Sequence, residues 1–242
     1  NVVNPGETVI TDDGTKVTND GEKITITPDD GGTTTTITPD KGATVNGDGS
    51  ANVAGGSTVT TGDGPSITVG EGGATVGTDG GVTLPDGGSA TIGSGDDTTT
   101  ITTPGGGTIA PDTGAVMPDE GGSVVIGNGD DTTTITPPSG QPVTPNDDGT
   151  ITIPGGSTVQ TGDGPKMTLP EGGTVDPDTG AITPDEGGSV VIDTGDGTTT
   201  ITPPSGQPVT PNDDGSVTIP GGSTVTGNDG ARVTLPPEGG TL

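Results

Sequence analysis

A narrow all-β repeat solenoid, built from short strands with Gly/Asp/Pro turns, is the fold this sequence predicts. Three observations carry it. Only 22% of the 242 residues are hydrophobic and none is Phe, Tyr or Trp, too little for a thick globular core. Long segments recur: "GGSVVIGNGDDTTTITPPSGQPVTPNDDGTITIPGGSTVQ" begins at Gly121 and returns in altered form at Gly187, a 66-residue step. Runs of β-branched residues are broken by Asp, by 51 Gly and by 24 Pro, a level that spells disorder without a period and stacked repeats with one.

Smaller units subdivide the long repeat, starting at Gly121, Ser139, Gly155 and Gly172, and continuing at Ser205, Gly221 and Gly239. Upstream the rhythm passes through Gly55, Gly72, Gly87 and Gly105. Residues 1–54 are more ragged, with "GETVITDDGTKVTND", "GEKITITPDD" and "GGTTTTITPDK" as variants of the same construction. The expected organisation is therefore an irregular set of N-terminal β repeats or a cap over 1–54, and a repeat solenoid over 55–242 that is continuous with it or distinct.

The unit "GGSTVQTGDGPKMTLPE", Gly155 to Glu171, shows what each module can form. It is too short for a strand with a crossover helix. Thr158-Val159-Gln160 and Lys166-Met167-Thr168-Leu169 read as two strands around a "TGDG" turn. Alternation sends Val159, Met167 and Leu169 inward and Thr168 outward. Val59, Val76, Ile109, Val143, Val175, Val209 and Val225 are the matching inward positions elsewhere. The strands could pair consecutively in an antiparallel meander, whose one-sided apolar face would need another sheet or partner to cover it. In a solenoid, which the repeated order of like segments favours, equivalent strands of successive units stack in parallel about 4.8 Å apart while the two strands of one unit face each other. An elongated β ribbon or a set of repeated small β domains is the alternative. Compatible exposed edges at the ends would support longitudinal assembly.

Charge narrows the function classes. Asp and Glu number 34 against five Lys and Arg, a formal charge of −29. Without a basic track the chain is not expected to bind nucleic acid, and it has neither the cations nor the apolar run for direct membrane insertion. No His or Cys is present, which removes imidazole proton transfer, thiolate chemistry and the usual zinc ligands. Asp178 with Glu186 is one acid pair that could come together for glycoside cleavage, and both read first as exposed turn carboxylates. No enzyme activity is expected and no catalytic residue is assigned.

Two sets of binding residues stand out. Asp147, Asp148, Asp163, Asp213 and Asp214 lie in "PNDDG" and "TGDG" turns, where Asp first of all closes a turn through its own backbone. Their oxygens also suit a hard cation, so calcium is the candidate ion, although neither the "DxDxDG…E" loop nor the "GGxGxDxUx" repeat is met and no cofactor is required. Thr152, Thr168, Thr183, Thr202, Thr218 and Thr234 form a candidate outward ladder. A β-forming solvent face is its first reading, and recognition of ice or a regular carbohydrate surface its second. These segments mostly place one threonine outward where a broad "TxT" face would be needed.

The repeats, the abundant Thr and the acidity together resemble bacterial cell-surface and secreted repeat proteins as a broad class. That resemblance implies a secreted or cell-surface location and a structural role as a fibre, surface spacer or adhesion scaffold. It also implies partners of the same kind: further copies of the chain, or cell-surface protein or carbohydrate. A ligand-binding repeat module, using calcium or the Thr-rich surface, is the alternative. The visible start "NVVNPGETV" does not read as a signal sequence, and the absence of Cys fits either redox compartment.

Overall fold

Short runs of Val, Ile and Thr extend the backbone, and Gly, Pro and Asp end the runs, so that most strands are two to five residues long. The computed structural model describes residues 4–94, 97–127, 132–193, 197–212 and 214–242, and among these there are 29 strands and no helix. The chain divides into two compact units, Asn1–Gly122 and Ser123–Leu242.

In the first unit the strands begin with β1 (Glu7–Ile10), β2 (Lys16–Asn19), β3 (Ile24–Thr27), β4 (Thr35–Thr38) and β5 (Ala43–Val45). They continue as β6 (Ala51–Val53), β7 (Thr58–Thr61), β8 (Ser66–Val69), β9 (Ala74–Val76) and β10 (Val82–Leu84). The last are β11 (Gly88–Ser94), β12 (Asp97–Thr103), β13 (Gly107–Ile109) and β14 (Val116–Pro118). One sheet runs β1-β2-β3-β4-β7-β8-β11-β12 and the other β5-β6-β9-β10-β13-β14. After the β1–β4 meander, hairpins alternate between the sheets, and each pairs with the next hairpin in its own sheet: β4 with β7, β6 with β9, β8 with β11. Two of these pairings, β4 with β7 and β6 with β9, cross the sequence position 54/55.

The second unit repeats the scheme. Its strands are β15 (Val124–Ile126), β16 (Thr133–Thr136), β17 (Thr144–Pro145), β18 (Ile151–Pro154), β19 (Ser157–Thr161) and β20 (Met167–Leu169). Then come β21 (Gly172–Val175), β22 (Ile182–Pro184), β23 (Val190–Asp193), β24 (Thr198–Thr202) and β25 (Thr210–Pro211). The chain closes with β26 (Val217–Ile219), β27 (Thr224–Thr226), β28 (Arg232–Thr234) and β29 (Gly240–Thr241). One sheet runs β15-β16-β19-β20-β23-β24-β27-β28. Opposite it, β17-β18-β21-β22 and β25-β26-β29 are joined by reciprocal bonds between Ile182 and Val209, at 2.9 and 2.8 Å.

The all-β repeat character and the short strands are as expected, while the direction of pairing differs from the expected parallel stacking. Among the described residues the strands within each unit pair antiparallel, and the two strands of one hairpin are neighbours in a sheet. Val159 of β19 pairs with Met167 of β20 and does not face it across the core. The reason is local. The "TGDG" turn closes with a bond from Gly164 N to Thr161 O at 2.9 Å, and so tight a reversal cannot span the roughly 10 Å between packed sheets.

Crossings between sheets are made elsewhere, three of them at "PGGS" and "AGGS" corners. Between β18 and β19, Gly156 adopts φ +87° and its N–H donates to Leu169 O at 2.7 Å. A Cβ on Gly155 would lie 2.7 Å from the Pro170 carbonyl oxygen. Ser157 is buried, and its hydroxyl donates to Pro154 O at 2.6 Å. The corners at Gly221–Ser223 and Gly55–Ser57 place their second glycine in the same positive-φ region, at 80° and 89°.

The cores consist of Val, Ile, Leu, Met and Ala with no aromatic ring. Of the expected inward positions, Val59, Val76, Ile109, Val143, Val159, Val175 and Val209 are buried, as are Met167 and Leu169. Val225 is half-buried, and its neighbour Val233 in β28 is 61% exposed. Each fully buried Ile contributes on the order of 1.5–3 kcal/mol. Threonines at the ends of the cores bond to one another, the buried Thr35 Oγ1 to Thr61 Oγ1 at 2.7 Å and the buried Thr133 Oγ1 to the half-buried Thr161 Oγ1 at 3.0 Å.

Replacing Gly155 and Gly156 together by Val should cost at least about 2 kcal/mol, since a β-branched residue resists positive φ and its Cβ meets backbone. Hydrogen exchange should show lost protection at Ser157, Val159 and Leu169. The surface change Gln160→Thr should leave that protection intact.

Candidate functional site

The acidic turns are built from their own residues. In Asn146-Asp147-Asp148-Gly149-Thr150 the Asn146 N–H donates to Thr150 O at 2.8 Å and the Gly149 N–H to Asn146 O at 3.1 Å. Gly149 sits at φ +84°, the left-handed residue of a three-residue hairpin loop. Asp148 Oδ1 accepts from the Thr150 N–H at 3.0 Å and from the Thr150 hydroxyl at 2.6 Å. Asn146 Nδ2 donates to the same hydroxyl at 2.9 Å. The turns at 46–50 and 212–216 reproduce the arrangement, with Asp48 on Ser50 and Asp214 on Ser216.

These bonds have an electrostatic consequence. A carboxylate that accepts a hydroxyl and an N–H is favoured in its charged form. The carboxyls of Asp48, Asp148 and Asp214 are accordingly held below their ordinary value, first by the Ser50, Thr150 or Ser216 hydroxyl and then by the N–H of the same residue. Asp13 is lowered in the same way, first by the Thr11 hydroxyl and then by the Thr15 N–H. Its Oδ1 accepts from both.

Of the five aspartates read as candidate ligands, Asp147, Asp148, Asp163 and Asp214 lie on exposed turns, and Asp213 lies outside the described residues. Among the described residues no three acidic side chains converge in a way that could hold a metal ion. An open cleft of about 540 Å3 in the first unit is lined by turn residues that include Asp13, Asp29, Asp30, Asp79 and Asp112. Asp178 and Glu186 lie in exposed turns at opposite ends of β22.

The six threonines of the expected ladder are divided between two sheets of the second unit. Thr152 and Thr183 share a row, Thr144–Thr152–Thr174–Thr183, on one sheet, and Thr218 lies between Thr210 and Thr241. Thr202 and Thr234 share the row Thr202–Thr224–Thr234 on the other. Thr168 pairs with Thr158 on one side and with Val191 on the other, which interrupts its row. Thr152 and Thr218 also bond to Asn146 and Asn212 of the acidic turns, at 3.0 and 3.1 Å.

A more regular array lies in the first unit, beginning in the stretch whose repeats are most ragged and continuing past Gly55. The "ITIT", "TTIT", "TVTT" and "DTTTITT" strands turn two or three threonines outward each: Thr25 and Thr27, Thr36 and Thr38, Thr58 and Thr60, and Thr98, Thr100 and Thr102. The alternation of Thr with Ile or Val was the signal for it. Compared with known proteins, the chain matches no family model, no curated protein and no solved structure.

Each lowered carboxyl adds stability that is present above its ordinary value of 3.8 and lost as pH falls through its lower folded-state value. Thr150→Val removes the hydroxyl that contributes most at Asp148. Carboxyl NMR titration should show the Asp148 midpoint rise toward 3.8 in that variant, with Asp214 unchanged.

Proposed function

We propose that this chain is a structural repeat protein of the cell exterior, secreted or held at the cell surface, that acts as a fibre, spacer or adhesion scaffold. The observation that carries the reading is the module itself. A short hairpin is reused along both units, and each copy pairs with the next hairpin in its own sheet, as β8 does with β11 and β20 with β23. Such a plan gains length by adding modules, since each new hairpin needs only the edge left by the one before it. Its core asks for nothing larger than Ile, Leu or Met, so near-identical units suffice.

The surface suits an exposed setting. With 34 acidic residues against five cations the chain repels its own kind at long range and resists nonspecific association. Partners in this reading are further copies of the chain, or protein or carbohydrate of a cell surface, met through the sheet faces. A recognition role for threonine is favoured by one specific feature, the register-matched outward rows of the first unit.

Inserting a second copy of residues 121–186 directly after Glu186 tests the scaffold reading. The added hairpins should pair in turn, so the largest dimension in small-angle scattering should rise in proportion to the added strands while far-UV dichroism per residue stays constant. An unchanged largest dimension, or a loss of β signal per residue, would contradict it.

A further inference from the structure

We propose that the outward face of the β1–β12 sheet in the first unit binds ice. This goes beyond the scaffold reading and does not depend on it. Two rows of threonines cross that face in register. One is Thr8–Thr18–Thr25–Thr36–Thr60, on β1, β2, β3, β4 and β7. The other is Thr38–Thr58–Thr68–Thr91–Thr100, on β4, β7, β8, β11 and β12. They overlap on β4 and β7, where Thr36, Thr38, Thr58 and Thr60 form a two-by-two block.

Where the rows overlap on β4 and β7 the array is two-dimensional. Neighbouring strands are about 4.8 Å apart, and outward residues two apart on a strand are separated by about 6.7 Å. Hexagonal ice repeats its water positions on two perpendicular spacings close to these. None of the ten row threonines is buried, so methyl and hydroxyl groups both reach solvent. Hydroxyls within the rows already meet one another, Thr8 Oγ1 with Thr18 Oγ1 and Thr91 Oγ1 with Thr100 Oγ1, each at 3.1 Å. Behind the array, Ile24, Ile37, Val59, Ile67 and Ile101 are essentially fully buried, which holds the lattice in place.

Charge placement is an independent observation that points the same way. The chain carries 34 acidic residues, yet none stands at an outward position of β2, β3, β4, β7 or β8, where the one charge is Lys16, opposite Ile10 and Thr27 at the edge of the first row. A charged group binds liquid water strongly and breaks the match to a lattice of neutral waters; a methyl beside a hydroxyl orders water without competing for it. The corresponding face of the second unit is interrupted, with Gln160 opposite Thr134, Val191 opposite Thr168 and Arg232 opposite Thr226. It serves as an internal control. An ordered polysaccharide is the competing ligand, and the chain lacks any aromatic ring on which a sugar would stack.

The test uses the full chain and measures three properties: incorporation into a slowly growing ice hemisphere, thermal hysteresis, and inhibition of ice recrystallisation. The wild-type chain should enter the ice and shape its crystals. Thr38→Lys/Thr68→Lys changes two exposed row positions and should fall to the level of an inert protein of equal size, with an unchanged melting curve. Thr158→Lys/Thr226→Lys in the second unit should retain full activity. If the first double variant fails to fold, Thr68→Tyr alone reads the same site. Exclusion of the wild-type chain from ice overturns the proposal. Equal loss in the two double variants also overturns it, as does retention on insoluble chitin or cellulose with no effect on ice.

Discussion

Strand register is the constraint on which the rest of this protein depends. The core is one layer of Val and Ile deep on each sheet, and these side chains stand in line across neighbouring strands. Ile24 pairs with Ile37, Ile37 with Val59, Val59 with Ile67, and Ile67 with Ile92. All five are at most 3% exposed. A slip of one residue anywhere in this line would turn Ile outward and Thr inward, exchanging the core for the surface. The same register that gathers the inner Ile row therefore aligns the outer Thr rows, and neither can be lost alone.

Turns secure that register, since the strands are too short to do so by themselves. The Asp-Gly loops set hairpin offset through a left-handed glycine and a carboxylate that ties down the next N–H. At three crossings a glycine pair followed by a buried serine moves the chain from one sheet to the other. Charge follows from this division of labour. Aspartate is concentrated in turns, where it closes loops, and the sheet faces are left to threonine. Protonation at low pH would weaken the turns through Asp148, Asp214 and their counterparts before it touched the cores.

Much of this was legible from the sequence, and the limits are instructive. Period-two alternation correctly placed Val159, Met167 and Leu169 inside and Thr168 on the outer side, because burial of β-branched residues needs only local pattern. Asp148 and Asp214 were legible as turn-closing residues for the same reason. Pairing direction was not legible. Near-identical units offer many equivalent partners, and only the length of each turn separates a hairpin from a rung whose strands face each other. The regular threonine face was missed because the best repeats, after Gly55, often carry a single outward Thr, as in Val82-Thr83-Leu84. The doubled pattern sits in strands such as "ITIT" and "TTIT", inside the segment that looked least ordered.

Disulfide trapping tests the register most directly, because the chain has no cysteine of its own. Thr38 on β4 and Thr58 on β7 are directly opposed although a complete hairpin of the other sheet separates them in sequence. A Thr38→Cys/Thr58→Cys variant should oxidise rapidly to an intramolecular disulfide without loss of β signal, while Thr38→Cys/Val59→Cys, one residue out of step, should not. Equal oxidation of the two variants, or none in either, would contradict the pairing from which both the core and the threonine lattice follow.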